Sequence, residues 1–321
     1  MAAVEAFYKG RTITLVSGVT PDGGDEQQER IFSGMSIVAR DDAAAPGPGR
    51  DAPSRLVARH LGRHLPGAPR VSVVTLPGAA GRRAARHLAD SAARDGSAIG
   101  ALERGLAVGL PTDAYGWIGA FGPDTGLLVV RRDAGIDDVA VLRERELVVG
   151  ATAPQDESAR LARGLNEALG LKLRVIGGYR GIGALHQAFE RGEVSAFAAG
   201  HAGDVQTPLL AWLQSGTAFA LLQLGPRGLP WLADTPLAAS LAFDSAKRAA
   251  LERLFAPQRL GLAYVTPPGV PAERLAALQA GFAAMVKDDA FVKDATTASV
   301  ATPSIEGAAL AQLVSALNAG R

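Results

Sequence analysis

Residues Pro46–Gly67 read PGPGRDAPSRLVARHLGRHLPG. The stretch is a glycine-containing turn, then a helix, then a Pro-Gly stop. Asp51 suits the N-cap, and Pro53 suits the first turn, where a missing N–H costs nothing. Val57, Leu61 and Leu65 recur at four-residue spacing and stack on one face, while Arg55, Arg59 and Arg63 form a separate stripe. Gly47 and Gly49 permit a sharp turn and leave amide N–H groups uncovered beside the helix start. Uncovered N–H groups and the helix dipole both favour negative charge. The loop therefore reads as half of a carboxylate cradle, with the other half supplied elsewhere.

Outward from this stretch, short β-branched or apolar runs alternate with helical patterns. Strands are expected at 12–16, 71–76, 97–102, 127–130, 147–149, 173–176, 194–197, 219–224 and 262–265. Helices are expected at 82–93, 157–169, 183–191, 203–213, 246–255, 272–286 and 306–316. Such alternation means parallel sheets covered by helices on both sides, with ligands collecting at the carboxyl ends of the strands. Glycine loops fall at 47–51, 77–81, 151–155 and 177–183, in two pairs separated in sequence, 47–81 and 151–183. A two-lobed protein brings the pairs face to face. The expected lobes are 1–122 with 226–321, and 123–225, joined through Phe121–Arg131 and Phe219–Arg227. Phe32–Arg40 repeats the aromatic-x-Gly-strand theme of Tyr8–Val16. This leaves two loops, Pro21–Asp25 and Pro46–Asp51, as rivals for the ligand; the second leads into the better helix and is preferred.

Composition narrows the function. The 321 residues are 48% hydrophobic and 20% charged, which suits a packed core. A net charge of +1 disfavours nucleic acid as a partner, and 5% aromatic content argues against base stacking. There is no cysteine, so disulfides and thiolate metal sites are excluded. No apolar run reaches the length of a membrane span. The start, Met1-Ala-Ala-Val into Phe7-Tyr8-Lys9-Gly10, reads as a mature protein with an added methionine whose export signal has been removed.

Other motifs carry little chemistry. His60 and His64 have the spacing of a metal edge, but no third ligand is evident and Arg59 and Arg63 repel a cation; partly exposed helix surface is the simpler reading. His186 reads as surface. Gly178–Gly183 lacks the order of a dinucleotide loop, and neither a phosphate loop nor a nucleophile elbow occurs. Arg104 follows a strand end and either faces an anion or pairs with Glu103 or a neighbour on the surface, the second being preferred. Trp117, Trp212 and Trp231 read as core or lobe-interface fillers.

In order along the chain, FYKGRTITLVSG, the segment from Pro46 to Ala89, RDGSAIGALERG, WIGAFG, ELVVGATAPQ, GGYRGIGALHQAFERGEVSA, LPWLADTPLA and YVTPPGVPAERLAALQAGFAAMVKDDAF together resemble the substrate-binding receptors of tripartite tricarboxylate transporters, the Bug-type extracytoplasmic solute receptors. The resemblance implies a type II periplasmic-binding-protein fold, two α/β lobes joined by two crossing strands with a ligand cleft between them. It implies a small di- or tricarboxylate or related acid as ligand, membrane transporter subunits as partners, a periplasmic location, no cofactor, no metal and no catalysis. A monomer is expected. By position, Gly47, Pro48, Gly49 and Asp51, with Gly78, Ala79, Ala80 and Gly81, would hold one carboxylate through backbone amides. The second lobe would contribute Thr152, Ala153, Pro154 and Gln155, then Tyr179 and Gly181, then Gly200 and His201. Three departures stand out: the insertion between Gly18 and Pro46, Ala80 in place of a glycine, and Ser195 where the pattern has an acid. A sensor protein using the same fold, or less favourably an α/β enzyme acting on a carboxylate, are the rival readings.

Overall fold

Thr12–Ser17 (TITLVS) is short, β-branched and apolar, and it forms the first strand of the molecule. The computed structural model describes residues 2–18, 39–40, 51–76, 81–154, 156–202, 206–298, 300 and 304–319. In chain order the strands are β1 (Thr12–Ser17), β2 (Ala39–Arg40), β3 (Arg70–Thr75), β4 (Ala98–Leu102), β5 (Gly116–Phe121), β6 (Gly126–Arg131), β7 (Leu147–Ala151), β8 (Leu173–Gly177), β9 (Ala196–Ala199), β10 (Ala218–Leu224), β11 (Ala263–Thr266) and β12 (Ser304–Glu306). The chain divides into two α/β units, residues 1–122 with 260–321, and residues 123–259.

The sheet of the first unit has the order β12-β5-β11-β4-β1-β3-β2 among the described residues. β3 and β4 flank β1 in parallel. β11 lies antiparallel between β4 and β5, and β12 and β2 are antiparallel additions. The expectation of parallel sheets is met by β3-β1-β4 and by β8-β7-β9 and corrected for the remaining strands: each sheet is mixed. Strand direction depends on where a returning chain inserts, and β11 returns only after the whole second unit has been made.

The helix Ala52–Leu61 turns Leu56, Val57 and Leu61 inward, onto a core that also holds Ile13, Leu15, Val73 and Ile99. Phe121 packs within 6 Å of the rings of Tyr264, Phe282 and Phe291 and knits β5, β11 and two carboxy-terminal helices together. β5 (GWIGAF) escapes the strand pattern because two of its six residues are glycine. The packing demands one of them: a Cβ on Gly119 would lie 2.5 Å from Phe282. Helices Ala2–Tyr8 and Asp289–Thr297 are further elements absent from the sequence expectation.

The second unit has a sheet of order β10-β6-β9-β7-β8, with β7 parallel to β8 and β9 and β6 antiparallel to β9 and β10. β6 sends Leu128 and Val130 to one core and Leu127 and Val129 to another, as the two-residue period of a strand requires. β10 breaks that period. A register shift between Ala220 and Leu222 moves the even-numbered positions across, so Ala218 and Ala220 face one core and Leu222 and Leu224 the other.

The second unit runs on to Arg259, where the sequence reading returned the chain to the first lobe at 226. Residues 226–259 stay because Ala238, Ala242, Leu251 and Phe255 are buried in the same core as Leu161 and Leu165, and because Arg160 donates to the Leu254 carbonyl at 2.9 Å. Phe219–Arg227, expected to cross, instead contributes β10 and its exit turn. Trp117 and Trp212 are buried as fillers, whereas Trp231 is 37% exposed.

His60 is corrected from surface to core. It is 1% exposed and lies between the helix Ala52–Leu61 and the helix Asp289–Thr297. Its Nε2 is 2.9 Å from Asp294 Oδ2, and an Arg63 guanidinium N–H donates to its Nδ1. These partners fix a neutral ring with the proton on Nε2. Burial pulls its pKa below the ordinary 6.5, outweighing the bond to Asp294 that pushes it up. A base with a lowered folded pKa stabilises the fold fully above the unfolded value and loses that contribution as pH falls through 6.5 toward the folded value. Thermal melts at pH 7.5 and 5.0 should therefore show a larger drop for the wild-type chain than for His60→Gln; equal drops would exclude His60 as the titrating group.

Candidate functional site

In the first unit the parallel strands end together. Ser17 of β1 pairs with Thr75 of β3 and with Ala101 of β4. Three helices start beyond this edge, at Ala52, Arg82 and Arg104. The first four N–H groups of any helix lack partners within it, and the dipole adds partial positive charge, so this edge attracts anions. β5 also ends here, because β11 pairs Ala263 with both Leu102 and Ala120. The chain leaves the first unit at the same edge.

Gly18, directly after β1, makes the tightest backbone approach at the edge. A Cβ there would lie 2.6 Å from Gly81 Cα and 3.3 Å from Ala84 Cβ. Gly81 has φ +81°, a conformation that favours glycine, and is the N-cap of the helix Arg82–Asp90. Ser17 and Ser54, both fully buried, place their hydroxyl oxygens 3.4 Å apart beneath this turn. Tyr264 is fully buried, and burial drives its phenol well above the ordinary 10.0 against a smaller opposing contribution from Ser54. It stays neutral.

Asp51 precedes the helix as expected but does not cap it: its backbone is helical and its side chain makes no cap hydrogen bond. It pairs instead with Arg55 at 3.2 Å. Arg104 is 2% exposed, which overturns the preferred surface reading and puts a guanidinium inside the edge. Gly47, Pro48, Gly49, Gly78, Ala79 and Ala80, and the loop Pro21–Asp25, lie outside the described residues.

In the second unit β7, β8 and β9 end together, with Ala151 beside Gly177 and Gly150 beside Phe197. β6 enters at this edge, since Leu127 pairs with Ala199. Thr152, Ala153 and Pro154 lie directly beyond β7, and Gly177 packs 3.4 Å from the Ala153 carbonyl carbon by its missing Cβ. The donors expected to be bare here are already engaged. Asp156 Oδ2 accepts from the Thr152 amide at 2.7 Å, the Ala153 amide at 3.1 Å and the Thr152 hydroxyl, while Oδ1 accepts from Ala159 at 2.7 Å as the N-cap of the helix Glu157–Leu169. Gln155 lies outside the described residues. Asp156 was legible as a cap, since it stands one residue before the expected helix start.

Tyr179 and Gly181 open the next helix, Gly181–Glu190, whose N-cap residue Arg180 makes no side-chain cap bond. Gly178 and Gly181 have φ of +114° and +79°, and a Cβ on either would meet nothing within 4 Å. Tyr179 is half-buried against the Leu185–Phe189 core, so it has a packing role as well. His186 is half-buried, 5.2 Å from the Phe197 ring and 5.5 Å from Trp212, not on the surface. Gly200 and His201 follow β9. His201 Nδ1 bonds to Asp124 Oδ2, and Asp124 Oδ1 also accepts from the Thr125 amide at 2.7 Å. Thr125 donates its hydroxyl to the Arg227 carbonyl at 2.6 Å and accepts from the Ala202 amide at 2.9 Å. Asp124, which the sequence reading missed, thus ties His201 to the point where the chain enters this unit. It left no sequence signal, because His201 lies 77 residues away.

Among the described residues no group of three or more His, Asp or Glu side chains could hold a metal ion, and no helix is long and apolar enough to cross a membrane. The structure thus brings Asp51 and Gly81 to one edge, and Thr152, Ala153, Pro154, Tyr179, Gly181, Gly200 and His201 to the other.

No protein-family model matches the chain, and no curated protein matches it. Solved structures do. The periplasmic binding protein BugD is similar at a TM-score of 0.66 with 18% identity, over 97% of this chain and 95% of that one. MatC from Rhodopseudomonas palustris, solved with bound malate, gives 0.63 with 17% identity over 97% of each chain. A second R. palustris protein, solved with adipate, gives 0.66 with 17% identity over 97% and 94%. The chain shares their fold, that of two-unit periplasmic binding proteins.

Replacing Gly18 by Ala should push the Gly81 turn away from β1. A loss of about 1–3 kcal/mol in urea unfolding is expected, the range for overpacking a close contact. A variant as stable as wild type would show that the approach relaxes freely.

Proposed function

We propose that the chain is an extracytoplasmic solute receptor that captures a small organic acid and delivers it to membrane subunits of a tripartite tricarboxylate-type transporter. The observation that carries the reading is the gathering of helix starts at the carboxyl-end edge of each unit, in a fold whose solved examples include proteins holding malate and adipate. Donors at such starts bind carboxylates without reacting with them. A micromolar receptor needs about −8.2 kcal/mol. Hydrogen bonds to a charged group contribute roughly 1.5–3 kcal/mol each, so about four or five suffice even after the entropic cost of association. Binding on this scale calls for no catalytic group, cofactor or metal, and the chain acts as a monomer in the periplasm.

In the first unit the acid-reading groups are Gly47, Pro48, Gly49, Gly78, Ala79, Ala80 and Gly81, with Asp51 shaping the helix start. In the second the groups that meet the rest of the ligand are Tyr179, Gly181, Gly200 and His201, while Thr152, Ala153, Pro154 and Gln155 form the turn beside them.

Thermal-shift and calorimetric titration with mono-, di- and tricarboxylates test the reading. An acid present at a hundred times its dissociation constant should stabilise the fold by about 2.7 kcal/mol. Proton NMR of the same mixtures should show the acid unconsumed. No shift with any acid would defeat the receptor reading, and turnover would favour an enzyme.

A further inference from the structure

The second unit carries an acid group of its own where a ligand's was expected. The Asp156 carboxylate accepts four bonds, from the amides of Thr152, Ala153 and Ala159 and from the Thr152 hydroxyl. A carboxylate has about four lone-pair sites, so its capacity is filled, and the Thr152 and Ala153 amides are spent on it. The Asp side chain thus does to this turn what a bound acid would do. It also leaves a fixed negative charge beside the Gly177 turn, whose glycine packs against Ala153 and Pro154. Arg160, in the first turn of this helix, donates to the Leu254 carbonyl at 2.9 Å and pairs with Glu157 at 3.6 Å.

We infer that Asp156 is a specificity-determining residue: by occupying the Thr152 and Ala153 amides with its own carboxylate, it bars a second ligand acid group from the turn after β7. The ligand end presented there is uncharged, either apolar or hydroxyl-bearing, and the receptor prefers monocarboxylates to dicarboxylates of equal length. Like charge and spent donors both act against the second acid, and exclusion of this kind sets selectivity as firmly as attraction does. The inference rests on the receptor reading above and narrows its ligand class.

The test compares hexanoate with adipate by calorimetry on the wild-type chain and on Asp156→Gly. Glycine is tolerated at an N-cap, so the helix should persist while the amides are bared and the charge removed. Asp156→Asn, which keeps one acceptor and loses the charge, serves as a second variant if the glycine form melts early. Wild type should bind hexanoate at least as tightly as adipate. Either variant should shift the ratio toward adipate by about tenfold or more, the scale of one charged hydrogen bond regained. A wild-type preference for adipate, or a ratio unmoved in both variants, overturns the inference while leaving the receptor reading intact. Absence of binding by any acid in the wider carboxylate screen overturns the receptor reading, and this inference with it.

Discussion

A main-chain N–H at the start of a helix has no partner inside that helix, and the rest of this structure is arranged around where such groups point. Parallel strands deliver them. Because β1, β3 and β4 run the same way, the helices that follow β3 and β4 begin at one edge of the sheet, and the helix before β3 begins there too. The second unit repeats the arrangement with β7, β8 and β9. Two further strands serve a different purpose. β5, which runs the same way as β4, carries the chain out of the first unit at its edge, and β6, antiparallel to β9, brings it into the second at its own edge.

Once donors are gathered, they must be matched, and the two units do so differently. In the second unit one helix is satisfied internally by Asp156, and its neighbour starts at Gly181 with no side-chain cap. In the first unit Asp51 looks equivalent in sequence, yet its carboxylate turns to Arg55 and makes no cap bond to the helix start. The backbone explains the contrast. Asp156 is extended, with ψ of 171°, which brings its oxygens over the amides ahead, whereas Asp51 is already helical, with ψ of −4°. The same residue type before a helix thus withholds donors in one place and spares them in another.

Much of this was legible in the chain. Strands such as 147–151 and 173–177 announce themselves by short apolar runs, and the helix 157–169 begins and ends where its pattern says. What escaped depends on partners distant in sequence. β5 hides because close packing on Phe282 demands glycine in a strand. His60 looks like surface beside two arginines until Asp294, 234 residues on, covers it. The return point at 260 is invisible because residues 226–259 are held by contacts to the helix 157–169, not by local pattern. Which amides are spent was readable only once Asp156 was recognised as a cap.

The placement of β11 has a consequence for biogenesis. The second unit is one unbroken length of chain, whereas the first is built from both termini and needs β11 between β4 and β5 to close its sheet. During synthesis the middle of the protein can therefore fold as soon as it has emerged, while the amino-terminal part waits with β5 lacking both its neighbours and β4 lacking one. Those open edges are the natural target of a holding chaperone, and a stop codon between the end of the second unit at 259 and β11 at 263 leaves a complete insert attached to an unfinished host.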